Sequence, residues 1–343
     1  MKKLLNTLYV TSEDAFLALD GENIVVRFAD DTEKAIPLHL LSSVVSFSYK
    51  GATPALMGKC VQSGVAMAFY TPQGRFLCQV GNETAGNVYL RREQYRRADD
   101  AAQSLAIARN FIAGKLYNAK FVLLRCARDH ALQADTEKLR GAAASLHESL
   151  SACLSAQSDD QLRGVEGSAA SAYFQVFDEM VLREKQAFAF RGRSRRPPLD
   201  RTNALLSFAY SLLTSDCAAA LRGVGLDPYV GFMHVDRPGR KSLALDLVEE
   251  LRPVCADRFV LTLVNNRVLS PGDFVVQESG AVLLTDEARR TFLSEWQKRK
   301  RETLTHPYLD EKIEWGLVPH VQALLLARYV RGDLDQYPPF FWK

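Results

Sequence analysis

The chain has 343 residues, 47% of them hydrophobic, with 43 basic against 40 acidic side chains and a net charge of +3. That length points to two domains rather than one, and the apolar fraction is ordinary for a soluble globular protein. No run of about 18 apolar residues suggests a membrane span, and a charge so close to balance leaves any nucleic-acid contact to local patches rather than a global field.

Thr, Ser, Glu and Asp interrupt the N-terminal apolar run too early for a signal peptide, so a cytoplasmic location without a membrane partner is expected. The six cysteines, Cys60, Cys78, Cys126, Cys153, Cys217 and Cys255, are too scattered for a CxxC zinc pattern and read as reduced, mostly buried thiols.

Residues 1–85 read as a β-rich domain. Leu4–Val10, Ala15–Leu19, Asn23–Phe28, Val44–Phe47, Val65–Tyr70 and Arg75–Val80 are short β-branched and aromatic runs, separated by turn residues such as Asp20-Gly21 and Pro72-Gln73-Gly74. One helix interrupts them, with Thr53 as cap, Pro54 at its first position and Gly64 closing it. The polar stretch Gly81–Asn87 reads as a linker to a second domain, 86–343, in which helices dominate.

The first helical pattern runs from Asn87 to about His130 and carries Arg91, Arg92, Arg96 and Arg97. Those arginines are either a phosphate-contacting strip or a solvated face paired with Glu93, Asp99 and Asp100. A small-residue helix spans Asp135–Ala156. Ser158-Asp159-Asp160-Gln161 is a capping box, and in the helix that follows Leu162, Val165, Ala169, Ala170, Tyr173, Phe177 and Met180 share one face with Glu166. A carboxylate in such a stripe must be paired, protonated or bound to a metal.

The loop Phe190–Pro198 holds Arg191, Arg193, Arg195 and Arg196 without an acidic neighbour before Asp200, which makes it a candidate phosphate contact. Asp200 caps a helix to about Leu221, where Asn203 and Tyr210 stand two turns apart on one face.

Gly231–Pro253, GFMHVDRPGRKSLALDLVEELRP, is the richest stretch. An apolar run delivers His234, and the turn Asp236–Arg240 adds Arg237 and Arg240. Ser242 is placed to cap a helix from Leu243 that Arg252-Pro253 ends. Leu243, Leu247, Val248 and Leu251 form its apolar side. Asp246 and Glu249, three apart, share a face away from it. An imidazole, a turn and two carboxylates can hold a divalent ion, and they can equally be a solvated helix face. Beyond it, Ala256–Asn265 reads as a helix and Phe274–Leu284 as a β-hairpin. Thr285 caps a helix ending in Lys298–Arg301, and a last helix is expected from about Asp310 to Arg331. The tail Tyr337–Trp342, aromatic and proline-rich, is expected to dock on its own body or on a partner.

Glu166 in Gly-Val-Glu-Gly-Ser-Ala-Ala, His234 in Gly-Phe-Met-His-Val-Asp-Arg-Pro-Gly-Arg, the run Ser-Leu-Ala-Leu-Asp-Leu-Val-Glu-Glu-Leu-Arg-Pro and the segment Arg196–Tyr210 resemble the CRISPR-associated integrase/endonuclease family, Cas1. The resemblance covers most of the chain in order. It implies an α+β fold with a small N-terminal β-rich domain, for dimer or partner contacts, and a larger, mostly α-helical catalytic domain. It implies Glu166, His234 and Glu249 as metal ligands, with Asp246 as a further catalytic or neighbouring acid. It also implies strand transfer of protospacer DNA into a repeat array, on double-stranded and branched DNA, by a homodimer that assembles with Cas2 into a hetero-hexameric complex.

Hard carboxylates suit Mg²⁺ or Mn²⁺, and an imidazole tilts the choice toward Mn²⁺. Such an ion beside Arg191, Arg193, Arg195, Arg196, Arg237 and Arg240 points to phosphodiester chemistry on DNA. Two other classes stay open: a metal-dependent phosphodiesterase acting on RNA or nucleotides, and a non-catalytic DNA-binding scaffold whose carboxylates are structural pairs.

Overall fold

Short β-branched runs build the first half of an α+β architecture in a computed structural model that describes residues 7–41, 43–71, 76–80 and 88–343. In order, the strands are β1 (Thr7–Val10), β2 (Phe16–Asp20), β3 (Asn23–Arg27), β4 (Glu33–Pro37) and β5 (Ser43–Ser46). Helix α1 (Pro54–Gln62) precedes β6 (Ala66–Tyr70) and β7 (Phe76–Val80). β2, β3 and β4 form an antiparallel meander in which Leu17 faces Val26 and Val25 faces Ala35. β1, β5, β6 and β7 form a second sheet in that order, parallel except for the β6–β7 pair. Leu17, Ile24, Val26, Val44, Leu56 and Met67 close the core between them. Thr53 caps α1 through Leu56 N at 3.3 Å, with Pro54 at its first position. β4 escapes the sequence patterning because Glu33 and Lys34 occupy an exposed edge strand. The turn Pro72-Gln73-Gly74, the linker Gly81–Asn87 and the start of the first strand at Leu4 lie outside the described residues.

Helices then take over: α2 (Val88–Asp99), α3 (Ala101–Asp129), α4 (Thr136–Ser155), α5 (Asp159–Gln175), α6 (Arg201–Gly223), α7 (Ser242–Arg252) and α8 (Arg258–Asn265). The hairpin β8 (Phe274–Val276) and β9 (Val282–Leu284) follows. Next come α9 (Asp286–Arg301), the pair β10 (Thr303–Thr305) and β11 (Lys312–Glu314), and α10 (Val318–Arg331). The chain divides into two units, Met1–Ala85 with Leu284–Glu302, and Gly86–Leu283 with Thr303–Lys343. Helix α9, placed by the sequence in the second domain, thus belongs to the first unit, where Gln297 reaches Tyr9 at 3.1 Å.

Several boundaries differ from the sequence reading for identifiable reasons. The long pattern after residue 87 is two helices, because Asp100 leaves helical geometry and caps α3 through the amides of Ala102 and Gln103. Pro253 does not end its helix. The chain passes into α8 through a π-helical turn, Pro253–Asp257, in which Arg258 N bonds Pro253 O. Ser242 is the first residue of α7 rather than its cap, and its hydroxyl donates to Val235 O. The last helix starts at Val318, since Lys312–Glu314 form β11 and Trp315–Leu317 a 3-10 turn.

Helix α6 is long and apolar enough, by length and composition, to cross a membrane. Here Leu205, Leu206, Leu212 and Leu213 on it are buried within the second unit. The C-terminal tail docks on its own body, with Tyr337 and Phe340 buried and Trp342 lying 5.2 Å from Arg125 and 4.5 Å from Arg258 across its ring.

Candidate active site

His234 sits in a loop with no regular structure, so other elements must hold it. Gln94 of α2 donates to Asp227 O and Val230 O at 2.8 and 2.9 Å. Ser104 of α3 donates to Phe232 O at 2.8 Å, and Arg163 of α5 to Met233 O at 2.8 Å. Asp246 of α7 completes the clamp from a fully buried position. Its Oδ2 accepts from the amides of Phe232 (2.7 Å) and Met233 (3.1 Å). Its Oδ1 accepts from the amide of His234 (3.0 Å) and lies 2.6 Å from His234 Nδ1. A carboxylate here can only accept, so Nδ1 carries a proton, which in the neutral imidazole leaves the lone pair on Nε2. Gly231 makes room for this carboxylate, since a Cβ there would stand 2.8 Å from Asp246 Oδ2.

Asp246 therefore orients the histidine rather than facing solvent. The expected polar face of α7 does not exist as such: Asp246, Glu249, Glu250 and Arg252 are all buried. Buried acids need partners. For Glu249 these are Arg252, whose Nη2 is 3.0 Å from Oε1, and Lys115 of α3, whose Nζ is 2.7 Å from Oε2. Burial pushes the Glu249 carboxyl up, but Arg252, Lys115 and His234 outweigh it and hold it near 2.

The same Lys115 ammonium pairs with Glu166 of α5, which is half-buried. Glu166 thus has a partner, as its place in a core stripe requires, and the partner is a lysine. Two glutamates from different helices converge on one cation. Among the described residues, no three His, Cys, Asp or Glu side chains form a group that could already hold a metal ion. The Lys115 ammonium stands between two of the sequence-predicted ligands.

Behind Arg252 lies a buried polar cluster that the sequence reading did not assemble. Arg252 stacks on Tyr210 at 4.7 Å, and Arg193 stacks on the same ring at 5.2 Å. Tyr210 OH bonds Asp257 Oδ1 at 2.5 Å, and Tyr173 OH bonds Oδ2 at 3.1 Å. Burial raises the Asp257 carboxyl to about 6 against the pull of Tyr210, Arg252, Tyr173 and Arg193. Opposed by burial, Glu249 leads the charges that keep the Arg252 guanidinium firmly protonated.

The basic residues separate into two groups. Arg193 is engaged inward, bonding Asn203 Oδ1 at 2.7 Å and Ser207 Oγ at 3.1 Å, while Asn203 Nδ2 holds Gly192 O. Arg191, Arg195, Arg196 and Arg237 are exposed, and Arg240 is half-buried. On α2, Arg96 and Arg97 both pair with Glu93, Arg96 from the exposed face and Arg97 from a largely buried position over the Tyr329 ring at 4.9 Å.

Residues 8–298 match the family model described as CRISPR associated protein Cas1. The chain is 48% identical, over 343 residues and the whole of both chains, to the CRISPR-associated endonuclease Cas1 1 of Chlorobaculum tepidum. In fold it is similar to a casposase bound to integration product, with a TM-score of 0.84 at 22% identity over 99% of this chain and 95% of that one. It is also similar to a chain of a Cas6-RT-Cas1–Cas2 complex, with a TM-score of 0.81 at 23% identity over 100% of this chain and 36% of that one. With a family match over most of its length and near-half identity across the whole of a relative, the chain belongs to the Cas1 family of CRISPR-associated proteins.

Proposed function

We propose that the protein is a metal-dependent DNA endonuclease and integrase that joins protospacer DNA into a CRISPR array by attack of a 3′-hydroxyl on a phosphodiester. The observation that carries this reading is the convergence of Glu166 and Glu249 on a single cation, Glu249 lying on the helix that also carries the aspartate orienting His234. The casposase likeness supports strand transfer, and the Cas2-containing complex supports Cas2 as a partner, here proposed to join a homodimer of this chain in a hetero-hexamer.

The donor set fits a hard divalent ion. Glu166, Glu249 and His234 Nε2 supply two oxygens and a nitrogen, and both glutamates already turn an oxygen toward one cation, the Lys115 ammonium. These three residues would hold Mn²⁺ or Mg²⁺. Bound there, such an ion would supply Lewis-acid stabilisation of charge at the reacting phosphodiester. The rest is supplied by the chain. Asp246 fixes the tautomer and direction of His234. Arg252, itself pinned against Tyr210, fixes Glu249 Oε1. Arg195, Arg196 and Arg237, exposed and unlike Arg193 not turned inward, hold DNA phosphates in register.

A strand-transfer assay tests the reading: DNA with free 3′-ends and a supercoiled target, with Mn²⁺, Mg²⁺ or chelator, for wild type, Glu166→Ala and His234→Ala. Metal-dependent joining that both variants lose is expected. Cutting without joining reduces the function to a nuclease. DNA binding indifferent to chelator and without turnover makes the protein a scaffold, and turnover confined to RNA or nucleotides moves it to another hydrolase class.

A further inference from the structure

Lys115 is the residue at the site that neither the motifs nor the proposed chemistry uses. It is buried on the core side of the longest helix, α3, among Phe111, Ile112, Leu116 and Ala119. A lysine in such a place is costly unless compensated. Its Nζ pairs with Glu166 and approaches Glu249 Oε2 to 2.7 Å. We propose that Lys115 is a built-in counter-cation, holding Glu166 and Glu249 together until a divalent cation displaces its ammonium from between them.

The inference rests on the reading of these two glutamates as metal ligands. Charge is the first support. Glu166 and Glu249 carry two negative charges, and Lys115 with Arg252 carries two positive ones, so the set is neutral as it stands. A divalent ion entering a balanced buried cluster meets like charge on both cations, and one of them must move. Arg252 is the fixed one: its guanidinium is ion-paired with Glu249 Oε1 at 3.0 Å and stacks on Tyr210 at 4.7 Å. Lys115 is a point charge on a flexible four-carbon stem. Position is the second support: the ammonium stands where the two carboxylates converge, which is the place a shared divalent cation would take.

The test is Mn²⁺ binding by calorimetry to the full-length protein, with thermal unfolding read in parallel with and without Mn²⁺. Lys115→Met removes the competing charge and is expected to bind Mn²⁺ about tenfold more tightly than wild type. Without metal it melts at lower temperature, and Mn²⁺ restores more of its melting temperature than of wild type's. Lys115→Arg keeps the charge and is expected to bind no more tightly than wild type. If Lys115→Met does not fold, Lys115→Gln carries the same comparison. Binding by wild type that Glu166→Ala abolishes, with Lys115→Met or Lys115→Gln no tighter than wild type, overturns the counter-cation and leaves the metal site standing. Binding that Glu166→Ala leaves unchanged, or no binding by wild type, overturns both.

Discussion

Asp246→Asn isolates the clamp that holds the histidine. The carboxylate receives four donors, two on each oxygen: the amides of Phe232 and Met233 on Oδ2, and the amide and Nδ1 of His234 on Oδ1. An asparagine keeps one acceptor oxygen and turns an NH₂ toward the other pair. If the NH₂ faces Phe232 and Met233, two buried amides lose their acceptor. A hydrogen bond to a charged group is worth about 1.5–3 kcal/mol, so the loss is about 3–6 kcal/mol. If it faces His234, the imidazole can accept at Nδ1 only by moving its proton to Nε2, and then one amide is orphaned, at about half that cost. That second outcome removes the lone pair needed to bind a metal. Either way, urea unfolding shows a loss of at least about 1.5 kcal/mol, and Mn²⁺ affinity falls by about 10- to 100-fold, as for other residues that orient a metal-binding histidine. A variant that unfolds with wild-type stability and binds Mn²⁺ like wild type would refute the argument, because no rearrangement of an amide satisfies four donors.

Gly114→Ala places a Cβ 2.6 Å from Glu250 Cγ, whereas Gly141 in α4 has no atom within 4 Å of that position. Gly114→Ala is therefore expected to lose about 1–3 kcal/mol in urea unfolding, while Gly141→Ala gains up to about 1 kcal/mol from helix propensity; equal signs would contradict the packing. Asp257 keeps a proton in the folded protein up to about pH 6, where the unfolded chain has already released it near 3.8. Its contribution to stability is therefore present below the unfolded value and lost as pH rises through 6, a change of about 3 kcal/mol. Asp257→Asn is expected to flatten that fall between about pH 4 and 6, and stability profiles that stay parallel to wild type would exclude it. Replacing Arg195, Arg196 and Arg237 together by Ala is expected to reduce the slope of log K against log salt by about 0.9 for each phosphate that is no longer neutralised. Arg193→Ala instead lowers stability, since its guanidinium is spent on Asn203 and Ser207. DNA binding with an unaltered slope in the triple variant would take the loop away from phosphate.

Most strands of the first unit and four helix caps were legible because local chemistry decides them: Thr53, Ser158, Asp200 and Thr285 each accept an amide at the start of a helix. The argument that Glu166 needs a partner was also legible, from its place in an apolar stripe. The partner was not. Lys115 stands four residues after Phe111 and four before Ala119, which puts it on the core side of α3, and that spacing was the available signal. It went unread because a lysine on a helix is ordinarily at the surface. Pro253 misled for a different reason: a π-turn absorbs the missing amide, and only the surrounding packing selects it. The cluster of Tyr173, Tyr210, Arg252 and Asp257 joins α5, α6 and the π-turn after α7, a long-range arrangement with no local pattern to announce it.

Glu249 and Glu250 show why residue type alone does not give the charge of this site. They are neighbours on α7, both buried, and about 100° apart around the helix axis. Glu249 faces Lys115 and Arg252, which hold it near 2. Glu250 faces Tyr337 OH at 2.8 Å, Gln322 Nε2 at 2.6 Å and the amide of Phe340 at 2.6 Å. Those donors favour its charged form, but burial outweighs them and raises it to about 8. Their surroundings therefore drive the two neighbours in opposite directions, and the hydrogen bonds of Glu250 serve to fasten the C-terminal tail to the helix that carries Glu249. The charge balance at the convergence point is then set by Glu166, Glu249, Lys115 and Arg252, and in so even a balance the removal of one positive charge changes what cation the two glutamates will take.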